Sequence, residues 1–153
     1  MHKDLLILKA ELEKPGIGQH KHDLAECFKE KNHVPLRWIR KWINTEWYVT
    51  GHKYLWLAAM NACINRSRVP LYLIYQGLRK TDQNTFNAAV TACRNRKVPF
   101  EIILWWYGSS NTVLHLAAIN ACIGNSAVPK GFIEQTLEDE DIRIRRIAQQ
   151  ILG

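Results

Sequence analysis

The sequence predicts an all-α protein, an α-solenoid of about five antiparallel helical hairpins. One motif occurs three times, as AAMNACINRSRVP, AAVTACRNRKVP and AAINACIGNSAVP. Its first alanines lie at 58, 88 and 117 and its prolines at 70, 99 and 129, so the copies recur every 29 or 30 residues. That period is typical of stacked two-helix repeats. Two further observations support stacked helical hairpins. Apolar residues recur at helical spacing between the copies, and small residues occupy matching positions in each copy.

The copy that ends at Pro99 shows how local rules build one hairpin. Pro99 opens the apolar segment PFEIILWWY, and proline is favoured in the first turn of a helix. Gly108 predicts the end of this first helix, A, and the polar run up to Asn111 supplies candidate N-caps. The segment VLHLAAINACI then predicts a second helix, B, which Gly124 closes.

Paired alanines explain how such hairpins stack. They are four residues apart, which places two methyl-sized side chains on one helix face and allows a neighbouring helix to approach closely. Because a single hairpin cannot bury its apolar face, adjacent hairpins share one continuous core. The pairs are Ala58 and Ala62, Ala88 and Ala92, and Ala117 and Ala121.

Residues 1–33 form a divergent start to this array. A first helix is predicted within residues 1–14, with Leu5, Leu8 and Leu12 at helical spacing, and it is too short and too charged for a signal peptide or a membrane span. Residues 15–18, PGIG, interrupt it, and a second helix is predicted over residues 20–31. The pair is either a divergent repeat or an unrelated helical cap, which solenoids need at their ends. Leu24, Cys27 and Phe28 are expected on its apolar side.

Four further repeats are predicted, over residues 34–67, 68–97, 98–127 and 128–153, within one domain that spans residues 1–153. The interval from Pro35 to Pro70 is 35 residues, so the link at residues 46–49 carries an insertion, and insertions fall in loops. Thr81, Asp82 and Asn84 are candidate caps for one B helix. The last B helix is predicted over residues 142–152, with a polar outer face that suits a C-terminal cap.

The last repeat resembles the HEAT-like repeats of the phycobilisome-lyase type. That pattern runs from an alanine pair through Ala-Leu-Gly and Ile-Gly-Asp to Ala-Val-Pro, then an apolar helix, an acidic turn and Val-Arg before the next alanines. The matching residues are Ala117-Ala118, Ala121-Cys122, Ile123-Gly124-Asn125, Ala127-Val128-Pro129, Leu137 to Asp141, Ile142-Arg143 and Ala148. Upstream the match weakens, where Cys63-Ile64 and Cys93-Arg94 replace the usual Leu-Gly pair. The resemblance implies a HEAT-like or armadillo-type superhelix with a binding role as scaffold, regulator or lyase subunit.

Composition agrees with one soluble domain. The chain has 153 residues, a common domain size, and no segment approaches the roughly 18 consecutive apolar residues of a membrane helix. We therefore expect no membrane association and a cytoplasmic location. Cys63, Cys93 and Cys122 fall at one repeat position and Cys27 on the corresponding helix. Helix layers lie about 8–10 Å apart, too far for a shared zinc ion or a disulfide, so all four are expected to be small buried hydrophobes.

No catalytic, metal or cofactor site is predicted. The six histidines are scattered, and the chain holds no Ser-His-Asp or Cys-His arrangement and no glycine-rich phosphate loop. The acidic run at residues 138–141 lies just before a helix, where carboxylates complement the N-terminal dipole, so capping is favoured over a cation site. We expect a protein without enzymatic activity; a lyase-like role follows only from the family resemblance.

Positive charge is concentrated in the middle of the chain. The net charge is +7, and residues 34–98 contain eleven Lys or Arg against Glu46 and Asp82. Two inter-repeat turns, NRSR at 65–68 and RNRK at 94–97, are expected to lie at one edge of a solenoid. This edge is the predicted nucleic-acid site of the alternative function, with Trp56 or Phe86 available for base stacking. The competing interpretation is that these cations only complement helix C-termini. The residues of the edge are Arg66, Arg68, Arg94, Arg96 and Lys97.

Aromatic residues mark a second candidate surface. Aligning the A helices on their prolines gives one core column, Ile39, Ile74, Ile103 and Ile133. On this register Tyr72, Tyr75, Leu104 and Trp105 face away from the core, although an error of one position would return Trp105 or Trp106 to it. Exposed apolar patches rich in Tyr, Trp and Arg are typical of interfaces.

The preferred function is therefore a non-catalytic scaffold that binds a protein partner, or a second copy of itself, through these four residues. The alternative is nucleic-acid binding along the basic edge. A third surface stays undecided, because the column Asn61, Thr91 and Asn120 fits either a hydrogen-bonded ladder between repeats or the polar lining of a groove.

Overall fold

The computed structural model describes residues 3–66 and 68–153. Met1, His2 and Ser67 lie outside the described residues, and with them the start of the first predicted helix, one of the six histidines and one position of the basic NRSR turn. The described residues are all-α, as predicted, with ten α-helices, one 3₁₀ turn and no strand. They form two compact units, Met1–Ala92 and Cys93–Gly153.

The first unit contains six helices and the 3₁₀ turn. Their bounds are α1 Lys3–Glu13, α2 Gln19–Cys27, the 3₁₀ turn Phe28–Glu30, α3 Leu36–Ile43, α4 His52–Cys63, α5 Leu71–Leu78 and α6 Gln83–Ala92. α3 packs against α4 and α5 against α6, which are the predicted A–B hairpins. The B helices α2, α4 and α6 pack in succession, and so do the A helices α3 and α5.

The A helices α3 and α5 begin immediately after a proline. Pro35 and Pro70 occupy the N-cap with extended backbone, and the helices start at Leu36 and Leu71. The predicted core column is confirmed here, since Ile39 and Ile74 are fully buried. Gly77 of α5 lies against Met60 of α4, because a Cβ at this position would fall inside contact distance of the Met60 sulfur.

The N-terminal helices are held by one buried lysine. Lys21 of α2 donates to the carbonyl oxygens of Glu11 (2.6 Å) and Leu12 (2.8 Å) and to that of Lys14. These groups lie at the C-terminus of α1, where carbonyls lack partners within the helix. Burial lowers the pKa of the Lys21 ammonium. A cation thus closes a helix end, which complements the negative end of its dipole.

Two predictions for this region are wrong. The helix expected over residues 20–31 ends at Cys27 and continues as the 3₁₀ turn. Cys27 is exposed, whereas Leu24 and Phe28 are buried as expected. Cys27 is still within α2, whose buried side is centred on Lys21, Leu24 and Ala25, and at about 100° per residue the side chain of Cys27 lies away from that side.

The second unit contains four helices: α7 Phe100–Tyr107, α8 Thr112–Ala121, α9 Lys130–Thr136 and α10 Ile142–Leu152. α7 packs on α8, α9 on α10, and α8 on α10. Both B helices begin at predicted caps, since Asn111 accepts from the N–H of Val113 and Asp141 from that of Arg143, each at 2.9 Å. The capping interpretation of the acidic run is therefore confirmed.

Two successive turns of the second unit stack on each other. Asn95, at a left-handed φ of 57°, donates its N–H to the carbonyl of Ile123 at 2.9 Å. Gly124, at φ 64°, lies so close that a Cβ would collide with the Asn95 carboxamide. Asn125 then donates to the carbonyl of Val98 at 2.9 Å. Glycine is required at 124 both by its backbone conformation and by this contact.

The core of the second unit follows the predicted register. Ile103 and Ile133 are buried, and so are Ala117 and Ala121. Tyr107 donates its hydroxyl to the Asp139 carboxylate, and burial together with this bond raises the pKa of the tyrosine. Among the helices of the described residues, none combines the length and the apolar character needed to cross a bilayer.

Candidate binding surfaces

The outward side of helices α3 and α5 in the first unit, which we call the α3–α5 face, carries both cationic side chains and tyrosines. Tyr72 is 51% exposed, and its hydroxyl accepts from Nε and Nη2 of Arg40 at 3.1 and 3.0 Å. Arg37 and Lys41 are exposed on α3, and Tyr75 is half-buried. The bond from Arg40 fixes the tyrosine across two neighbouring helices. The face therefore presents an aromatic ring with positive charge close beside it.

The outward side of α7 in the second unit, the α7 face, is apolar. Trp105 is 63% exposed and Leu104 is 46% exposed. Their neighbours Ile103 and Trp106 are buried, at 0% and 1%. The predicted outward position of Trp105 is therefore confirmed, whereas Trp106, the other residue that a one-position error would return to the core, is buried. Glu101, one turn before Trp105, is also exposed.

A third exposed aromatic group lies in the insertion between α3 and α4. Trp47 and Tyr48 are 72% and 71% exposed, and their ring centroids are 6.2 Å apart in an edge-to-face arrangement. Val49 beside them is also exposed. The 35-residue interval from Pro35 to Pro70 predicts this loop but does not predict its exposed aromatic surface.

The predicted basic edge is only partly available. In the first unit, Arg66 donates to the carbonyl of Val34 and is half-buried, whereas Arg68 is exposed. In the second unit Arg96 is 6% exposed, so its place on an open edge is wrong. Arg94 is exposed but donates from Nε to Oδ1 of Asn120 at 2.6 Å, and Lys97 is exposed.

The predicted stacking residue Trp56 is not available either. It is 5% exposed, and its indole N–H donates to the carbonyl of Thr45 at 2.8 Å. Lys80 covers the ring at 4.5 Å from its centroid, and burial lowers the pKa of this lysine. Phe86, the other candidate, is half-buried. Of the seven residues proposed for nucleic acid, four are therefore buried or bonded inside the fold: Arg66, Arg94, Arg96 and Trp56.

A groove runs along the B helices of the first unit. It consists of two adjoining cavities of about 440 and 560 Å³, which share Leu57 of α4 and Asn84 of α6. The first is also lined by the start of α2 and the second by its end and the 3₁₀ turn. The larger cavity is rich in side chains with both a donor and an acceptor, namely Asn61, Asn65, Asn84, Asn87 and Thr91.

The column left undecided by the sequence differs between the units. Asn61 is fully buried and lines the larger cavity, and it also donates from Nδ2 to the carbonyl of Ala25 on α2 at 3.0 Å. Asn61 therefore links α4 to α2 through a hydrogen bond and also lines the cavity. Thr91 lines the same cavity and donates to the carbonyl of Asn87 in its own helix. In the second unit Asn120 is buried and accepts from Arg94, which is a ladder contact.

Three of the four cysteines lie in the core. Cys63, Cys93 and Cys122 are buried, as predicted. The thiols of Cys63 and Cys122 donate to the carbonyl four residues earlier, and burial raises the pKa of Cys122 to about 12. Such a thiol stays protonated, so it is a poor nucleophile. Within residues 3–66 and 68–153, His, Cys, Asp and Glu do not gather into a group of three that could hold a metal ion.

Comparisons with known family models, with curated proteins and with solved structures gave no significant match to this chain. The resemblance to HEAT-like repeats therefore stays a prediction from the sequence.

Proposed function

We propose that the chain is a non-catalytic helical-repeat protein, an α-solenoid of HEAT-like type, that binds a protein partner through the outward faces of its A helices. The solenoid is supported by the recurring sequence motif and by the succession of packed hairpins within the first unit. Its partner-binding residues are Tyr72, Tyr75, Leu104 and Trp105.

The observation that carries this proposal is the contrast within α7. Trp105 is 63% exposed beside Trp106, which is 1% exposed. Trp105 thus keeps most of its ring in solvent while the next residue is in the core, and an exposed apolar side chain of this size is typical of an interface. Tryptophan is the residue most enriched where binding energy is concentrated in interfaces. A partner that covers the ring would bury a large apolar area, and buried aromatic side chains contribute strongly to the free energy of binding at interfaces.

Charge on the α3–α5 face indicates what kind of protein would bind. Arg40 bonds Tyr72, Arg37 is exposed on the same helix as Arg40, Lys41 is exposed there and pairs with Glu13 at 3.4 Å, and the whole chain carries a net charge of +7. A second copy would bring the same cations against this face, and like charges oppose association. We therefore favour an acidic protein surface over self-association, with Tyr72 as the anchor in the first unit.

Partner identification and a binding measurement test the proposal. A photo-cross-linking residue is placed at 105, and the same residue at the exposed Ile17 is the control. A protein captured only from position 105 is purified, and its affinity is measured for wild type, Trp105→Ala, Tyr72→Ala and Ile17→Ala. We expect Trp105→Ala to weaken binding at least about tenfold and Ile17→Ala to leave it unchanged.

Two results would overturn it. One is equal binding by wild type and the Trp105→Ala and Tyr72→Ala variants. The other is a protein that stays monomeric, captures nothing at 105, and binds a mixed-sequence 30-nucleotide DNA at low salt through Arg68, Arg94 and Lys97. Phosphate binding would weaken steeply with added salt, which separates this alternative from an apolar interface.

A further inference from the structure

We propose that the loop between α3 and α4 binds the surface of an anionic lipid bilayer, with the side chains of Trp47, Tyr48 and Val49 inserted at the level of the headgroups. We call these three residues the 47–49 tip. The tip lies in the first unit and does not include the outward faces of the A helices. Binding at a bilayer surface needs no segment that crosses the membrane. The proposal therefore revises our expectation of no membrane association, which considered only spanning segments.

The exposure of the tip is the first observation that supports the proposal. Trp47 is 72% exposed, Tyr48 71% and Val49 39%, so three consecutive aromatic or apolar side chains lie in water. The indole N–H and the phenol O–H give the two rings a polar end on an apolar body. Tryptophan and tyrosine are enriched at the headgroup level of membranes because the ring is buried there while the polar end stays hydrated. The tip thus has the chemistry of a bilayer interface.

The base of the loop is fixed, so the tip is held outward before any partner binds. The carbonyl of Thr45 accepts from the indole N–H of Trp56 at 2.8 Å. A Cβ at Gly51 would lie 3.0 Å from the carbonyl oxygen of Gly16, so this loop is in close contact with the loop before α2. The two rings of the tip are in edge-to-face contact, with centroids 6.2 Å apart. Little loop ordering is therefore required on binding, which favours affinity.

Cations flank the tip. The loops before α2, α4 and α6 meet at one end of the unit, because residues at the start of these three helices line the same cavity of about 440 Å³. Lys53 and Arg79 are exposed at this end, and Lys80 covers the indole at the base of the loop, 4.5 Å from its centroid. Glu46 and Asp82 are the carboxylates of the same loops, so cations outnumber carboxylates there.

The wider charge distribution also favours an anionic surface. Residues 34–98, which contain the tip, carry eleven Lys or Arg against two acids, and the chain has a net charge of +7. Each Lys or Arg close to an anionic leaflet contributes about 1 kcal/mol of attraction, which falls off within a Debye length of about 10 Å. This attraction would bring the tip to the bilayer, and insertion of the rings would hold it there. Charge and apolar burial therefore both contribute to binding.

The area of the tip favours a bilayer over a protein. An aromatic side chain buries about 150–250 Å², so the two partly exposed rings can bury no more than about 400 Å². Each side of a stable protein interface buries about 800 Å². At a bilayer surface, the binding free energy is the sum of apolar burial and attraction to anionic lipids, so a small tip beside cations is sufficient.

Vesicle sedimentation tests the proposal. Wild type is mixed with vesicles of three parts phosphatidylcholine to one part phosphatidylserine, and with vesicles of phosphatidylcholine alone, at about 0.1 M salt. We expect the protein to sediment with the anionic vesicles and only weakly with the neutral ones. Trp47→Asp/Tyr48→Asp should weaken binding at least about tenfold, because the burial of two rings is lost. Trp47→Phe/Tyr48→Phe should retain most of it.

The matched control is Leu6→Asp/Ile7→Asp on α1. Leu6 and Ile7 are 48% and 62% exposed in the same unit. This variant therefore also removes two exposed apolar side chains and adds two negative charges, but it does so away from the loop. We expect it to retain binding to the anionic vesicles. Circular dichroism of each variant checks that it folds.

Fluorescence quenching then locates the tip in the bilayer. Lipids brominated near the top of their acyl chains quench an indole that lies at the level of the headgroups. Wild type should be quenched by anionic vesicles that contain these lipids, Trp47→Phe should lose most of that quenching, and Trp105→Phe should keep it. Trp105 is a matched emitter, because it is 63% exposed in the second unit.

The proposal is overturned if wild type sediments with neither kind of vesicle, or if Trp47→Asp/Tyr48→Asp binds the anionic vesicles as wild type does. Equal losses in this variant and in the α1 control would mean that added negative charge alone opposes binding, and equal quenching of wild type and Trp47→Phe would place the tip outside the bilayer; both results also overturn it. A tip variant that binds no vesicles less well but weakens the complex with a protein captured at position 105 would assign the tip to that interface, which overturns this proposal and leaves the proposed function intact.

Discussion

The α3–α5 face of the first unit and the α7 face of the second lie at the same positions of their helices but differ in chemistry. The first combines Arg37, Arg40 and Lys41 with Tyr72, whereas the second presents Leu104 and Trp105. Their core sides are alike, since Ile39, Ile74 and Ile103 are all fully buried. The fold thus constrains one side of each A helix and leaves the other side available for binding.

This difference has a physical cause. Removing a core isoleucine creates a cavity that costs several kcal/mol, so the inward positions must stay apolar and of similar volume. An outward position loses little when it is changed, usually within about 0.5 kcal/mol. The fold therefore places little constraint on the residues there. Four experiments test this distinction, in order of decreasing expected effect.

The largest contrast is expected between two adjacent tryptophans. Trp106→Ala should lower the free energy of unfolding by about 3–5 kcal/mol, because a buried ring is lost from the core. Trp105→Ala should change it by less than about 0.5 kcal/mol, because the ring is already exposed. Urea unfolding of both variants checks this. Similar losses would mean that Trp105 supports the fold and that its exposure carries no functional information.

A pair of glycines tests the inward side in the same way. Gly77→Ala places a methyl group against the buried Met60 and should cost about 1–2 kcal/mol. Gly131→Ala in α9 meets nothing within 4 Å and should stabilise by up to about 1 kcal/mol through helix propensity. Thermal unfolding of the two variants should shift in opposite directions. A stabilised Gly77→Ala variant would contradict the close packing of α5 on α4.

A third contrast concerns how helices begin. The A helices of both units from α3 onward follow a proline at the N-cap, whereas the B helix α10 follows Asp141, which accepts from the N–H of Arg143. Asp141→Ala should cost about 1 kcal/mol at pH 7. Its side-chain bond with Arg143 holds the pKa of Asp141 below the ordinary value.

The pH dependence of that loss follows from the sign of the shift. A lowered pKa in the folded state means that the ionised form is the stabilising one. Its contribution is complete above the unfolded-state pKa of about 4 and disappears as the pH falls through the folded-state value. Chemical unfolding at several pH values should show the gap between wild type and Asp141→Ala narrowing below pH of about 4. A gap that stays constant down to acidic pH would exclude the charge as its cause.

The smallest effect on stability is expected on the α3–α5 face. Tyr72→Phe removes only the hydroxyl that accepts from Arg40, and both side chains are exposed, so the loss should be below about 0.5 kcal/mol. Denaturant unfolding measures it. A loss above about 1 kcal/mol would make Tyr72 a structural residue.

Much of the local structure could be predicted from residues close in sequence. The repeat period and the Pro, Gly and capping residues predicted helices close to those observed, such as the one from Ile142 to Leu152. They also predicted the caps at Asn111 and Asp141. The register of the A helices predicted the exposure of Trp105, although not the burial of Trp106 beside it. These features depend on helical geometry and on hydrogen bonds between near neighbours, which repeat with the motif.

Contacts between residues far apart in the chain could not be predicted from the sequence and depend on the tertiary structure. Arg66 bonds a carbonyl 32 residues earlier, and Asn61 one that is 36 residues earlier. Arg96 and Trp56 are buried despite their positions in a basic turn and on a predicted stacking surface. A long polar or aromatic side chain reaches in whichever direction packing and an unpaired backbone group favour, and the local pattern does not hold that information. The sequence determined which way each helix faces, and the packed structure decided which of the outward residues remain available to a partner.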